Sequence, residues 1–336
     1  MKMSHLLLST ALLFAAAGNA RAEAPNVVVS IKPIHSLVAS IMQGVGEPKL
    51  IVEGAASPHT YSLKPSNAAA LQDADVVFWV GHGLEAFLEK PLEALGSNAT
   101  VVELEDAPGL EKLKFREGGA FETHDHGHEG EGGGHEHGEA DHDHGREHAA
   151  EKGHDHDEHS HEGAFDTHLW LDPMNAKAIA TEVEKALSAK DPANATTYKA
   201  NLAALDANID ALDAEIADTI ALVKDKPFIV FHDAYQYFEH RYGVKVVGSI
   251  TVSPETIPGA ERVSQIRQKV VDLGATCVFA EPQFEPKLVN VVLEGTPAKA
   301  GTLDPEAGTL TEGPSLYFDL MRGLANSLKQ CLSSAS

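Results

Sequence analysis

Apolar positions divide the chain into two series of short strands and helices, with a polar tract between them. In the first series the pattern predicts strands at 26–31, 49–52, 75–80 and 100–104. Helices are predicted at 34–42, at 66–72 with Ser66 as its cap, and at 84–95. Val76-Val77-Phe78-Trp79-Val80 is apolar at every position, the mark of a strand covered on both faces. Strand and helix alternate, which argues for a parallel sheet. A helix at 175–189 follows the polar tract.

Neither Gly nor Pro occurs between Ala193 and Val223. Leu202, Leu205, Ile209, Leu212, Ile216, Ile220 and Val223 recur there at spacings of three and four, so one long amphipathic helix is predicted. At 1.5 Å per residue it would be about 45 Å long. That length suits a strut packing on two lobes, with a coiled-coil dimer seam as the alternative. A second series then predicts strands at 227–231, 244–250, 276–280 and 300–303, and helices at 234–241, 259–273, 286–293 and 315–332. The expected fold is α/β, with two Rossmann-like lobes built on parallel sheets. The expected domains are 23–191, a linking helix at 192–224, and 225–336.

The start of the chain carries Lys2, an apolar run from Leu6 to Ala17, and then Ala20-Arg21-Ala22. This reads as a signal peptide, 1–22, cleaved after Ala22 for export. No later run reaches the ~20 apolar residues of a membrane span, so the mature chain is not expected to cross a bilayer.

The polar tract changes the picture most. Twelve of the nineteen histidines lie in it: His124, His126, His128, His135, His137, His142, His144, His148, His154, His156, His159 and His161. Fourteen acids accompany them between Glu122 and Glu162, against Arg146 and Lys152, which is half of the net charge of −24. With so little apolar surface to bury, 117–164 is expected to be a disordered loop offering weak secondary metal sites. A solvated spacer is the plainer reading. The acidic balance argues against nucleic acid as a partner.

Seven histidines remain, of which His5 belongs to the signal. His59 lies in a Gly/Pro/Ser-rich loop after the second strand, His168 opens His168-Leu169-Trp170-Leu171-Asp172-Pro173, and His232 ends an apolar strand. Asp304 follows another strand. Loops at the carboxyl ends of parallel strands line the crevice of open α/β sheets. Three neutral imidazoles and a carboxylate would make a tetrahedral zinc set. His35 and His82 also follow strands and compete for the role, whereas His240 reads as solvent-facing late in a helix. Cys277 and Cys331 are the only cysteines, and in an exported chain an even pair suggests one disulfide.

Several motifs, taken in order, resemble one family. They are 57–66 (Ser57-Pro58-His59-Thr60-Tyr61-Ser62-Leu63-Lys64-Pro65-Ser66), the His168 motif, Phe231-His232-Asp233-Ala234-Tyr235-Gln236-Tyr237-Phe238, Ala280-Glu281-Pro282-Gln283-Phe284 and Gly301-Thr302-Leu303-Asp304-Pro305. Together with the acidic His-rich loop they resemble the ZnuA family of zinc-binding receptors of ABC transporters. That family belongs to the metal-binding cluster of solute-binding proteins. The resemblance implies two α/β lobes joined by a long helix, and His59, His168 and His232 as zinc ligands. In some members a glutamate before the first ligand also reaches the metal; Pro58 stands there in this chain, so the fourth ligand expected is Asp304, as in related receptors, with a water as the alternative. It implies a Cys277–Cys331 disulfide. It also implies a periplasmic, non-enzymatic monomer that captures Zn(II) and hands it to an inner-membrane ABC permease. The rival readings are a zinc-dependent hydrolase, a metal-buffering protein or adhesin, and a manganese receptor. The chain has no His-Glu-x-x-His helix to favour the hydrolase, and imidazoles suit zinc better than manganese.

Overall fold

The structure, a computed structural model, describes residues 24–116, 121, 165–251 and 258–333. The expected signal peptide and the twelve histidines of the tract lie outside the described residues. The first series forms β1 (Val27–Val29), α1 (Lys32–Ile41), β2 (Lys49–Leu50), α2 (Pro65–Gln72), β3 (Val76–Trp79), α3 (Glu89–Leu95) and β4 (Thr100–Glu103). The strands pair in parallel in the order β2-β1-β3-β4. Next come α4 (Pro173–Lys190) and the long α5 (Ala195–Ile220). The second series forms β5 (Pro227–His232), α6 (Gln236–Tyr242), β6 (Lys245–Thr251), α7 (Ala260–Asp272), β7 (Cys277–Ala280), α8 (Lys287–Leu293), β8 (Lys299–Thr302) and α9 (Leu316–Ser333). Its order, β6-β5-β7-β8, is also parallel and repeats that of the first sheet. Each sheet thus reverses direction of growth beside its first strand, and the crevice at such a switch point is where α/β sheets bind ligands.

Local chemistry explains where the elements differ from expectation. Ser66 is not a cap: α2 starts at Pro65, whose missing N–H costs nothing at the first helical position. Asn67 Oδ1 accepts the Lys64 N–H at 3.0 Å, so Ser66 falls inside the first turn. The helix expected at 84–95 is α-helical only over Glu89–Leu95, behind a 3-10 turn at Ala86–Leu88. Buried Glu85 causes this, because its Oε2 accepts the N–H groups of Val80 at 2.9 Å and Gly81 at 3.0 Å and ties the segment to the end of β3. Asp172 starts α4 early by accepting the Met174 N–H at 2.8 Å, with Pro173 behind it.

The strut reading of α5 holds. It buries Leu205, Ile209, Leu212, Ile216 and Ile220 and packs on α1 and α4 at one end and on α6 and α9 at the other. Asn201 Nδ2 donates to the Ile41 and Gln43 carbonyls, while Asp213 and Glu215 pair with Arg241 and Arg322 of the second lobe. One continuous core consequently runs from β1 through α5 to Leu332. A smaller core covers the other face of the second sheet. Phe228 and Val230 of β5 face the first core and Ile229 and Phe231 the second, which is why that strand is apolar throughout. Cys277 of β7 and Cys331 of α9 form a disulfide, with Cα atoms 6.3 Å apart. Among the described residues no helix is long and apolar enough to cross a membrane.

Candidate metal centre

Three chain segments deliver the centre. Ser57-Pro58 turns the loop after β2 into a short 3-10 helix, Pro58–Thr60, with Ser57 Oγ accepting the His59 N–H at 3.3 Å. His168 sits at the entrance of the 3-10 turn Leu169–Leu171, whose three apolar side chains are buried. His232 is the last residue of β5, at the carboxyl end of the second sheet. His59 is partly covered, whereas His168 and His232 are only 5% and 3% exposed.

The rings converge. Their centroids are 5.4 Å apart for His59 and His168, 5.7 Å for His59 and His232, and 5.2 Å for His168 and His232. One ring nitrogen from each lies within 4.8 Å of the others. Among the described residues this is the single group of three or more His, Cys, Asp or Glu side chains with that property. The Nε2 atoms of His168 and His232 are 3.3 Å apart. Zn–N bonds of 2.0–2.1 Å in a tetrahedron place two ligand nitrogens about 3.3 Å apart.

Two carboxylates orient the rings. Asp166 Oδ1 accepts from His168 Nδ1 at 2.7 Å and also from the His168 backbone N–H at 3.0 Å. Glu281, at the end of β7 beside β5, holds His232 Nδ1 at 2.8 Å and 2.7 Å, and takes the Tyr235 hydroxyl as well. With both Nδ1 atoms donating to carboxylates, the two Nε2 atoms face each other, an arrangement satisfied by a proton shared between them or by a metal ion that takes its place. A metal-binding imidazole whose other nitrogen donates to a carboxylate is a recurrent arrangement for zinc.

The electrostatics fit the same use. Burial pushes the His59 imidazole well below its ordinary pKa, and the neighbouring His168 and His232 push it further. It is therefore neutral at neutral pH and ready to donate. Burial also lowers His232, but Glu281, with Asp233 and Asp166, outweighs it and holds the pKa above the ordinary value. A metal must displace that proton. Trp170 and Phe284 wall the rings at 5.4 Å from His168 and 6.3 Å from His232.

The structure brings together His59, His168 and His232 but not Asp304. Asp304 is outside the converging set; its Oδ1 accepts from Gln283 Nε2 at 2.7 Å and Gly308 N at 3.1 Å, and its Oδ2 accepts from Thr309. His35 instead meets the Pro48 carbonyl at 3.0 Å, His82 lies between Glu89 and Glu103, and half-exposed His240 pairs with Glu111. Asp166 escaped the sequence reading, and Glu281 appeared there only as part of a motif. The available signals were an acid two residues before a candidate ligand and an acid ending the strand that neighbours β5.

Two like lobes on a strut, with imidazoles from both meeting between them, define a metal-binding solute-receptor architecture. Comparison with known proteins agrees. The family model described as zinc-uptake complex component A, periplasmic, matches residues 27–331. A curated relative, the high-affinity zinc uptake system protein ZnuA of Brucella suis, is 57% identical over 99% of this chain and 100% of its own length. The protein of the same name from Yersinia pestis is 36% identical over 98% of both chains. A crystal structure of ZnuA superposes with a TM-score of 0.71 at 26% identity, covering 92% of this chain and 99% of that one. The chain belongs to the ZnuA family.

Proposed function

We propose that this chain is a periplasmic zinc receptor that captures Zn(II) with His59, His168 and His232 and delivers it to an inner-membrane ABC permease. The observation that carries the reading is the convergence of three imidazole nitrogens within 4.8 Å, two of them 3.3 Å apart and backed by carboxylates. The relatives are high-affinity zinc uptake proteins, which supports zinc as the cargo. An all-imidazole set also favours zinc over manganese, which prefers oxygen donors. The reading is of binding rather than catalysis. Asp166 and Glu281, the carboxylates that touch the imidazoles, are committed to Nδ1 atoms and offer no base to a metal-bound water. A water fills the fourth position, because Asp304 is not among the side chains that converge and is held instead by Gln283, Gly308 and Thr309. The His-rich tract, with its twelve imidazoles among fourteen acids, gathers further ions weakly.

Zinc titration of the mature chain and of a chain lacking 122–162 tests this. One tight site is expected in both, with extra weak equivalents only when the tract is present. His59→Ala, His168→Ala and His232→Ala should each weaken the tight site by at least a hundredfold, and Asp304→Ala by less than threefold. A tight site that survives all three histidine substitutions would refute the assignment, and a tenfold loss in Asp304→Ala would return that residue to the ligand set.

A further inference from the structure

The two legs of chain on either side of the tract meet beside the metal centre, and both touch the second lobe there. On the outgoing leg, the Leu113 carbonyl accepts the Asp166 N–H at 2.9 Å, and Lys114 and Phe165 form an antiparallel bridge. The Lys112 ammonium lies 4.3 Å over the Phe165 ring. The returning leg runs directly into Asp166 and His168. Tyr237 of α6 joins both legs, accepting the Leu113 N–H at 3.1 Å and donating to the Asp166 carbonyl at 2.6 Å. Arg116 extends the outgoing leg across the cleft. Its guanidinium forks onto both oxygens of Asp233, the residue after His232, and onto Glu239 of α6. The Asp233 side chain is 3% exposed and Arg116 is 20% exposed, so this is a largely dry, bidentate ion pair between lobes.

We propose that Arg116 is a positioning residue of the metal centre: through Asp233 it straps the His232 end of β5 to the neck that carries His168, and so slows release of the ion. The proposal rests on the zinc-receptor reading above. Its logic is geometric. His168 and His232 need Nε2 atoms 3.3 Å apart across two lobes, and the Arg116–Asp233 pair is one residue removed from that meeting point. A fork on a carboxylate fixes direction as well as distance, which an ammonium cannot do.

The sign of the effect separates positioning from simple charge. Arg116 is a cation near a cation site. If it acted only through charge, its removal would make a bound metal leave more slowly. If it positions His232, its removal lets Asp233 swing away and the metal leaves faster. The experiment is stopped-flow release of zinc from the mature full-length chain into excess chelator. The tight-site phase is identified as the one absent in His168→Ala. Arg116→Ala is expected to speed that phase about tenfold while association changes less than threefold. Arg116→Lys keeps the charge but loses the fork and should fall in between. Arg322→Ala, which breaks the exposed pair with Glu215 on the strut, should leave release unchanged. Release from Arg116→Ala that is slower than wild type, or within twofold of it, overturns the strap. If Arg116→Ala does not fold, Arg116→Lys decides: wild-type release rates in that variant overturn the proposal. Absence of any His168-dependent phase in the wild-type chain would instead refute the zinc-receptor reading itself.

Discussion

Replacing Glu281 by Gln tests whether the centre depends on the charge behind its ligands. The amide is close in shape to the carboxylate and can still accept from His232 Nδ1, so the geometry is kept and the charge is lost. Glu281 is 3% exposed and sits 2.7–2.8 Å from that nitrogen. A hydrogen bond to a charged group contributes about 1.5–3 kcal/mol net. That corresponds to a loss of about 10- to 100-fold in zinc affinity, the range typical for groups that orient a metal-bound imidazole. The pH dependence adds a signature. In the wild type, burial lowers the His232 pKa but Glu281 leads the groups that raise it above the ordinary value, so a proton competes with zinc as pH falls through that raised pKa. In Glu281→Gln burial wins, the pKa drops, and proton competition begins at lower pH. The variant's deficit should thus be largest near pH 8 and shrink towards pH 6. Competition titrations against a chromophoric chelator at both pH values would measure it, with urea unfolding of the metal-free proteins as a check on folding. A deficit under threefold at pH 8, or one that widens on acidification, would refute the reasoning.

Two further outcomes follow from buried groups away from the ligands. Burial raises the Glu85 pKa to about 7, against the neighbouring Ser30 hydroxyl and the hydrogen bonds from Gly81 and Val80, which lower it. The folded state therefore binds a proton between pH 4.5 and 7 that the unfolded chain does not, and stability falls as pH rises through that window. Glu85→Gln should stabilise the metal-free protein by up to about 3 kcal/mol at pH 8 and little at pH 4, read from urea midpoints; equal effects at both values would contradict the buried-acid explanation. Reduction of Cys277–Cys331, which closes a separation of 54 residues, should cost about 4 kcal/mol on the chain-entropy estimate. Zinc affinity should be unchanged, since Cys277 begins β7 and Glu281 follows its opposite end, and a reduction-sensitive affinity would contradict that separation.

Periodicity determined the order and type of the strands and helices and the existence of the strut, though not every boundary. These depend on local spacing: the three-and-four rhythm of Leu202 to Val223 admits one amphipathic face, and an unbroken run such as 76–80 requires cover on both sides. The pairing of Cys277 with Cys331 was legible for a simpler reason, there being no other cysteine. Family motifs marked His59, His168 and His232, although nothing in their separate spacings says that they meet. Only the tertiary structure decided which strand-end groups share the cleft. It gathered those three while leaving His35 on the Pro48 carbonyl, His82 among surface acids and Asp304 held by Gln283, Gly308 and Thr309. It also gave Asp166, Glu281 and Arg116 their places. A side chain acting through a hydrogen bond on a neighbour from another element leaves no period in the sequence. Its role is set by packing that brings residues 49 positions apart, as with His232 and Glu281, or 117 apart, as with Arg116 and Asp233, within bonding distance.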